Sequence, residues 1–336
     1  LKGARARAAV GGLAGVWERA ALDARWDFVQ KKFIPHRVGF ALDVEAGVEA
    51  LLEGFMQRAE EVDVAVREVY PAPRIDQEPL ASWRPDVQMG VFRTKYDPKK
   101  RDRSHNLKLA ADALDGVIIM PGQTFSYNAV VGERTLTRGY REAPVIVYGE
   151  MLEGVGGGAC QISSTMYALS LLSGLDIIER ANHSLPSSYI EKGLDAVVSW
   201  PHLDLKVRNS YPFPIAVRAG LTENQVVISL WGSQPAKRVL IRREVTEKLP
   251  FVERVEVSDE MNPKQVRKVR EGHFGYRISK GRITWDDTGE QFERMIEDVY
   301  ISRPRQIKIG PDTLYPESDS GRAASAGDDD ALSVED

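Results

Sequence analysis

Apolar residues recur at helical spacing from the start of the chain. Trp17, Leu22, Trp26 and Val29 predict a helix over residues 1–33, weakened early by Gly11, Gly12 and Gly15 and stopped by Pro35. Asp43 reads as an N-cap for a second amphipathic helix whose face is Val44, Val48, Leu51, Leu52 and Phe55. Val62, Val64 and Val66 then alternate as in a strand, so residues 37–70 predict a strand, helix, strand unit. The stretch from Pro71 to Pro98 holds five prolines and little periodicity, which predicts a linker with one short strand over residues 87–92.

Periodicity returns with a predicted helix over residues 106–114, a turn at Pro121-Gly122 and an apolar-aromatic segment around Phe125 and Tyr127. Residues 144–148 read as a short buried strand. A glycine-rich run, Gly154-Val155-Gly156-Gly157-Gly158, leads through Ala159 and Cys160 into a helix over residues 161–173, with Ile162, Met166, Leu169 and Leu172 on one face and Gly174 closing it. Beyond His183, residues 196–200, 203–208, 214–219 and 225–231 alternate, predicting an antiparallel sheet. The expected fold class is therefore α+β: a helix starting at Gln161 packed on an antiparallel sheet, a small N-terminal α+β fragment and a β-rich C-terminal domain. The expected boundaries are an N-terminal helix over 1–36, a small unit over 37–80, a main domain over 90–232, a β-rich domain over 239–310 and a disordered tail over 311–336.

Composition narrows the function classes. The 336 residues are 43% hydrophobic and 28% charged, ordinary for globular domains. The formal charge of −4 is concentrated in residues 317–336, where seven acids face the single Arg322, leaving the remainder nearly neutral. That balance offers no clustered basic face for nucleic acid. No window approaches the ~20 apolar residues of a membrane-spanning helix. Because the chain starts at Leu1, a processed form or fragment is expected, with any leader or anchor upstream. Cys160 is the one cysteine, which excludes an internal disulfide and a multi-cysteine zinc site.

Cys160 is also the most informative residue. A helix N-terminus presents unpaired amides and partial positive charge that favour a thiolate, and the preceding glycines allow a substrate backbone to approach. The alternative is a small buried cysteine behind a glycine turn. His183 follows after the helix and its Gly174 turn, where a returning segment can bring an imidazole to the helix start as base; it reads equally as a hydrogen-bonded structural histidine. Asp204, on the polar side of Leu203-Asp204-Leu205, is the candidate for orienting the ring, with solvent as its alternative and Asp195 as its rival. Arg101, Arg103 and His105 are weaker candidates for an anionic group. Arg134 and Arg138 can instead pair with carboxylates such as Glu133 or Glu142. A metal site from Cys160, His183 and His202 has unsuitable spacing, and no cofactor is expected.

Several motifs in order resemble the VanW family: Phe125-Ser126-Tyr127-Asn128, Val131-Gly132-Glu133-Arg134-Thr135, Gly139-Tyr140, the run Gly156 to Thr165, Glu179-Arg180, His183-Ser184 and Asp195-Ala196. This resemblance, over about residues 90–231, implies an extracytoplasmic bacterial cell-envelope protein linked to glycopeptide resistance, with peptidoglycan or its peptide as partner. Residues 37–80 resemble part of a small peptidoglycan-binding module. Residues 239–310, with Gly272, Gly275 and Ile307-Lys308-Ile309-Gly310, resemble the glycine-named β-rich domain of wall proteins. The order Cys160, His183, Trp200, Asp204 is similar to that of transglutaminase-like thiol enzymes, although Asn182-His183-Ser184 lacks their usual aromatic after the histidine. That likeness implies Cys160 as nucleophile, His183 as proton shuttle and Asp204 as orienter, with the Cys160 and Gln161 amides meeting the oxyanion. Gly157, Gly158, Gln161, Ser163 and Arg134 are then the expected substrate-binding residues. Thiol-dependent acyl transfer or hydrolysis on wall peptides is the first expectation, and a non-catalytic wall-binding or accessory role the second.

Overall fold

The computed structural model describes residues 2–17, 19, 21–69, 78–147, 150–286 and 289–314. The expected tail lies, from residue 315 on, outside the described residues, as do residues 70–77 of the linker and Tyr148.

The first helix, α1 (Lys2–Trp17), is shorter than its apolar spacing predicts. Residues that continue the pattern form a hairpin, β1 (Arg25–Asp27) and β2 (Lys32–Ile34). Asp27 Oδ1 accepts the Val29 and Gln30 amides at 2.8 and 2.9 Å, a local side-chain turn that competes with helix. The apparent stripe is not one face either, since Val29 is exposed while Trp26 is buried edge-on against Trp83, centroids 5.7 Å apart. Next come β3 (Gly39–Leu42), α2 (Val44–Gln57) and β4 (Val66–Val69), with β3 and β4 antiparallel. Asp43 caps α2 through the Ala46 amide at 3.1 Å.

The main region carries β5 (Val87–Lys95), α3 (Arg101–Leu114), β6 (Ile118–Ile119), β7 (Thr124–Ser126), α4 (Tyr127–Val131), β8 (Glu142–Val147), β9 (Glu150–Val155), α5 (Ala159–Leu172), β10 (Asp176–Glu179), β11 (Lys206–Arg208), β12 (Ile215–Leu221) and β13 (Gln225–Gly232). One antiparallel sheet has the order β5-β13-β12-β6, with Ile228 opposite both Phe92 and Ala219. A smaller sheet has the order β10-β11-β7. The expected single sheet is thus divided, and residues 196–200 form only isolated bridges, Ala181 to Val197 and Ser199 to Leu203. Pro201 has no amide with which to extend that ladder. The segment expected as a buried strand is instead part of the β8–β9 hairpin, with Pro144 exposed.

Helix α5 is buried nearly all round, and Ile162, Met166 and Leu169 share a core with Val226, Ile228 and Leu230. Burying each such side chain stabilises by roughly 1.5–3 kcal/mol. Gly90 makes the close approach possible, because a Cβ there would lie 2.7 Å from Ser173 Oγ and 3.1 Å from Leu169 Cδ1. On α3, Leu107, Ala110, Ala111 and Leu114 are fully buried at helical spacing and close the same core.

The C-terminal region is all strand: β14 (Arg238–Leu249), β15 (Glu253–Val257), β16 (Val266–Arg270), β17 (Gly275–Asp286), β18 (Gly289–Tyr300) and β19 (Arg305–Ile309). They form two three-stranded sheets, β14-β17-β18 and β15-β19-β16, the pair β15–β19 being parallel. Among the described residues no helix is long and apolar enough to cross a membrane.

Candidate functional site

Glycines turn the chain from β9 into α5. Gly156 and Gly158 take φ of 84° and 113°, where a Cβ is strained. At Gly157 a Cβ would stand 2.5 Å from the Ala143 carbonyl oxygen. Gly157→Ala is therefore expected to destabilise the protein by about 1–3 kcal/mol, read as a lower urea midpoint; an unchanged midpoint would contradict this close approach. Cys160 lies in the first turn of α5, where amides lack helical partners. The Ala159 and Gln161 amides bond back to Gly156 O and Gly158 O, at 3.1 and 2.8 Å, whereas Cys160 N–H makes no such turn bond. The residue is half-buried, with its sulfur 3.5 Å from the Val198 carbonyl oxygen.

His183, in the loop between β10 and β11, is buried and lies close enough to Cys160 for each to shift the other's protonation. Its ring nitrogen Nδ1 is 2.6 Å from Asp195 Oδ2, which also accepts the His183 backbone amide at 2.7 Å. An ionised carboxylate only accepts, so Nδ1 carries the proton and Nε2 is the nitrogen left for sulfur. Asp195 is 1% exposed and its other oxygen receives Arg180 Nη2 at 3.2 Å. Asp195 thus holds His183 by a hydrogen bond, with Cys160 beside the imidazole.

Burial opposes charge in all three groups, and partners reverse it. Burial pushes the Cys160 thiol up, but the neighbouring His183 side chain, with Arg134 beyond, brings it below its ordinary value. Burial pulls the imidazole down, yet the Asp195 carboxylate and the Cys160 sulfur beside it push it up to about 9. Burial likewise raises the Asp195 carboxyl, and His183 and Arg180 return it below the ordinary carboxylate value. Both shifts run in the direction of a thiolate beside an imidazolium.

The carboxylate on His183 is Asp195, and the expectation of Asp204 is corrected. Asp204 Oδ2 accepts the Ser126 hydroxyl at 2.5 Å, while Oδ1 accepts the Asn128 and Leu205 amides at 2.9 and 2.8 Å. It ties β7 and α4 to residues 203–205. Trp200 is exposed, so the order Cys160, His183, Trp200, Asp204 is not assembled as a unit. Gln161 also turns away from the sulfur: its side-chain amide donates to Thr94 Oγ1 and Lys95 O at 3.0 and 2.9 Å, and its backbone amide is engaged at Gly158. That removes it from the expected oxyanion pair.

Ser163 is fully buried and donates to Ala196 O at 2.7 Å, so it faces structure rather than substrate. Ser164 donates to Cys160 O at 2.6 Å and accepts the Ala196 amide at 2.9 Å. Together the two serines pin the residue after Asp195 onto the helix that carries Cys160. Arg134 donates to Asn128 Oδ1 and Gly132 O at 2.7 and 3.0 Å, and its charge reaches the thiol. Arg138 donates to the Glu133 carbonyl at 3.1 Å rather than to a carboxylate. Of the charged group on α3, Arg101 is exposed, His105 Nε2 sits 2.9 Å from Gly139 O, and Arg103 packs beside Gly158 with its guanidinium 5.9 Å from the Tyr189 ring centroid. Arg180 and Ser164 lie in the motifs that carry the family resemblance without a role of their own there, and Tyr189 lies outside those motifs. Among the described residues no three His, Cys, Asp or Glu side chains group to hold a metal ion.

Residues 102–231 match the family described as VanW like protein. The chain is 39% identical over 201 residues to "Uncharacterized protein YoaR" of Bacillus subtilis (strain 168), covering 60% of this chain and 65% of that one. It is 32% identical over 133 residues to "Vancomycin B-type resistance protein VanW" of Enterococcus faecalis (strain ATCC 700802 / V583), covering 38% and 48%. The chain thus spans less than two thirds of the length of either relative. Among solved structures, an IgA1 protease G5 domain is similar over 24% of this chain at 25% identity and a TM-score of 0.17. The HP0197 G5 domain is similar over 22% at 19% identity and a TM-score of 0.15. Likenesses of that extent carry no argument about the C-terminal sheets. Cys160, His183 and Asp195 all lie within the stretch that matches this family.

Proposed function

We propose that this domain is a thiol acyl-transfer enzyme acting on amide bonds of cell-wall peptides, and that it works outside the cytoplasm. The single observation that carries the reading is the placement of Cys160, in the first turn of α5, beside the imidazole of His183, whose Nδ1 is 2.6 Å from Asp195 Oδ2. The Cys160 thiolate attacks the amide carbonyl carbon, forming a C–S bond and an oxyanion that the Cys160 N–H can meet. His183 Nε2–H gives its proton to the leaving nitrogen as the C–N bond breaks, leaving a thioester. Water or an amine then attacks the thioester, His183 takes its proton, and the C–S bond breaks to restore the thiolate. Asp195 holds the ring in the required tautomer throughout. The wall as substrate source is supported by the name of the Enterococcus relative, a vancomycin resistance protein.

The pH profile of iodoacetamide alkylation tests the reading. Cys160 is expected to react well below the ~8.5 at which a free thiol titrates. A free-thiol profile, or alkylation only after denaturation, would leave Cys160 as packing.

A second reading, wall binding without turnover, is favoured by the thin sheet β14-β17-β18, which leaves Phe292 and Ile296 exposed. Co-sedimentation of the full chain with purified sacculi tests it, and failure to sediment would overturn it.

A further inference from the structure

The end of strand β18 reaches back from the C-terminal sheets to the segment that carries His183 and Asp195. Asn182 Nδ2 donates to Val299 O at 2.9 Å, and the Ile301 amide donates to Ser184 O at 2.8 Å, so both neighbours of His183 are held by this strand. Tyr300, fully buried between them, donates its hydroxyl hydrogen to Asp195 Oδ1 at 2.5 Å and accepts the Gly193 amide at 2.7 Å. Asp298 on the same strand pairs with Arg180, and Lys280 on β17 reaches Asp298 Oδ2 at 2.6 Å and Gly193 O at 3.3 Å. Arg180 in turn donates Nε–H to the Asp195 carbonyl at 2.7 Å and Nη2 to its carboxylate. Every one of these charged side chains is buried. Buried charges persist only where partners satisfy them, so this contact is a fixed interface and not a chance touch of two domains.

We infer that the C-terminal sheets complete the reacting centre, with Tyr300 as a positioning residue that holds Asp195, and through it His183, in line with Cys160. The inference rests on the proposed reading of Cys160, His183 and Asp195 as the reacting trio. The mechanism is geometric. Asp195 Oδ2 serves the imidazole and the His183 amide, so its orientation depends on what grips Oδ1, and the Tyr300 hydroxyl is the shorter of the two grips. Loosening that grip weakens the hold on the protonated imidazole, and with it the support for the thiolate. The groups that face the pair are Arg103 on α3, Tyr127 on α4, Arg134 and Tyr189 around the thiol, and Arg180, Tyr167, Lys280 and Asp298 around the carboxylate. None of them is altered by removing one phenolic oxygen.

The test compares the full chain with Tyr300→Phe, which retains the buried ring. Alkylation of Cys160 by iodoacetamide is followed against pH, with the melting temperature as a check of folding. The midpoint is expected to move up by about one pH unit, with a roughly tenfold slower reaction below it. A wild-type midpoint below that of a free thiol, with an unmoved or lowered midpoint in Tyr300→Phe, overturns the inference and leaves the trio standing. A wild-type midpoint at the free-thiol value overturns both. Should Tyr300→Phe not fold, Arg180→Lys reads the same network, since it keeps a charge for Asp298 and loses the fork on Asp195. The same upward shift supports the inference there, and an unmoved midpoint overturns it.

Discussion

Asp195→Asn is expected to lower acyl transfer from wall peptides by about 10³- to 10⁴-fold. The asparagine keeps an oxygen for the His183 backbone amide, the bond that now spans 2.7 Å, but it offers no charge for an imidazolium. Its amide hydrogens, if turned to Nδ1, draw the ring proton to Nε2, where it faces the sulfur and leaves the thiol protonated. The contrasting variant is Asp204→Asn. Asp204 bonds Ser126, Asn128 and Leu205, so its loss is expected to cost about 1–3 kcal/mol of stability with the rate close to wild type. Steady-state kinetics on purified muropeptides, run beside urea denaturation, separates the two. A rate that falls with Asp204→Asn and not with Asp195→Asn would reverse the assignment.

Cys160→Ser is expected to abolish turnover, by about 10⁴-fold or more. A hydroxyl at this position does not ionise in the range where His183 holds its proton, so the imidazolium beside it has no anion to release. The first-turn amide, the glycine turn and the bonds of Ser163 and Ser164 to the Cys160 carbonyl are unaffected by the change of Oγ for Sγ, so the fold should persist. Sedimentation of Cys160→Ser with sacculi should match wild type. Muropeptide turnover by Cys160→Ser at the wild-type rate would remove the thiol from the chemistry.

Much of the scaffold was legible because burial imposes a period. Residues 161–173 read as helix, and 214–219 and 225–231 as strands, since Ile162, Met166, Leu169, Ile215, Val217, Val226 and Ile228 all end in one core. The reading failed where local polar bonds or tertiary contacts decided the outcome. Trp26 fits a helical stripe with Leu22 and Val29, but Asp27 closes a turn beside it and the indole is needed against Trp83. Cys160 and His183 stood out by residue type and spacing. The choice between Asp195 and Asp204 was different in kind. Leu203-Asp204-Leu205 carries a strand-like alternation that makes Asp204 look poised, whereas Asp195 sits in an irregular loop after Gly193. What selects Asp195 is the pinning of Ala196 by Ser163 and Ser164, and the grip of Arg180 and Tyr300, the last more than a hundred residues along the chain. No local pattern encodes such a contact.

The central claim is that Cys160 becomes acylated. Intact-mass spectrometry of the full chain, quenched in acid after mixing with purified muropeptides, tests it directly. The account predicts an added mass equal to the peptide acyl fragment left when the scissile amine departs. That mass should be located on Cys160, removed by hydroxylamine and absent from Cys160→Ser. Muropeptide turnover with no adduct on wild-type protein under any quench time, or an adduct that persists in Cys160→Ser, would contradict it.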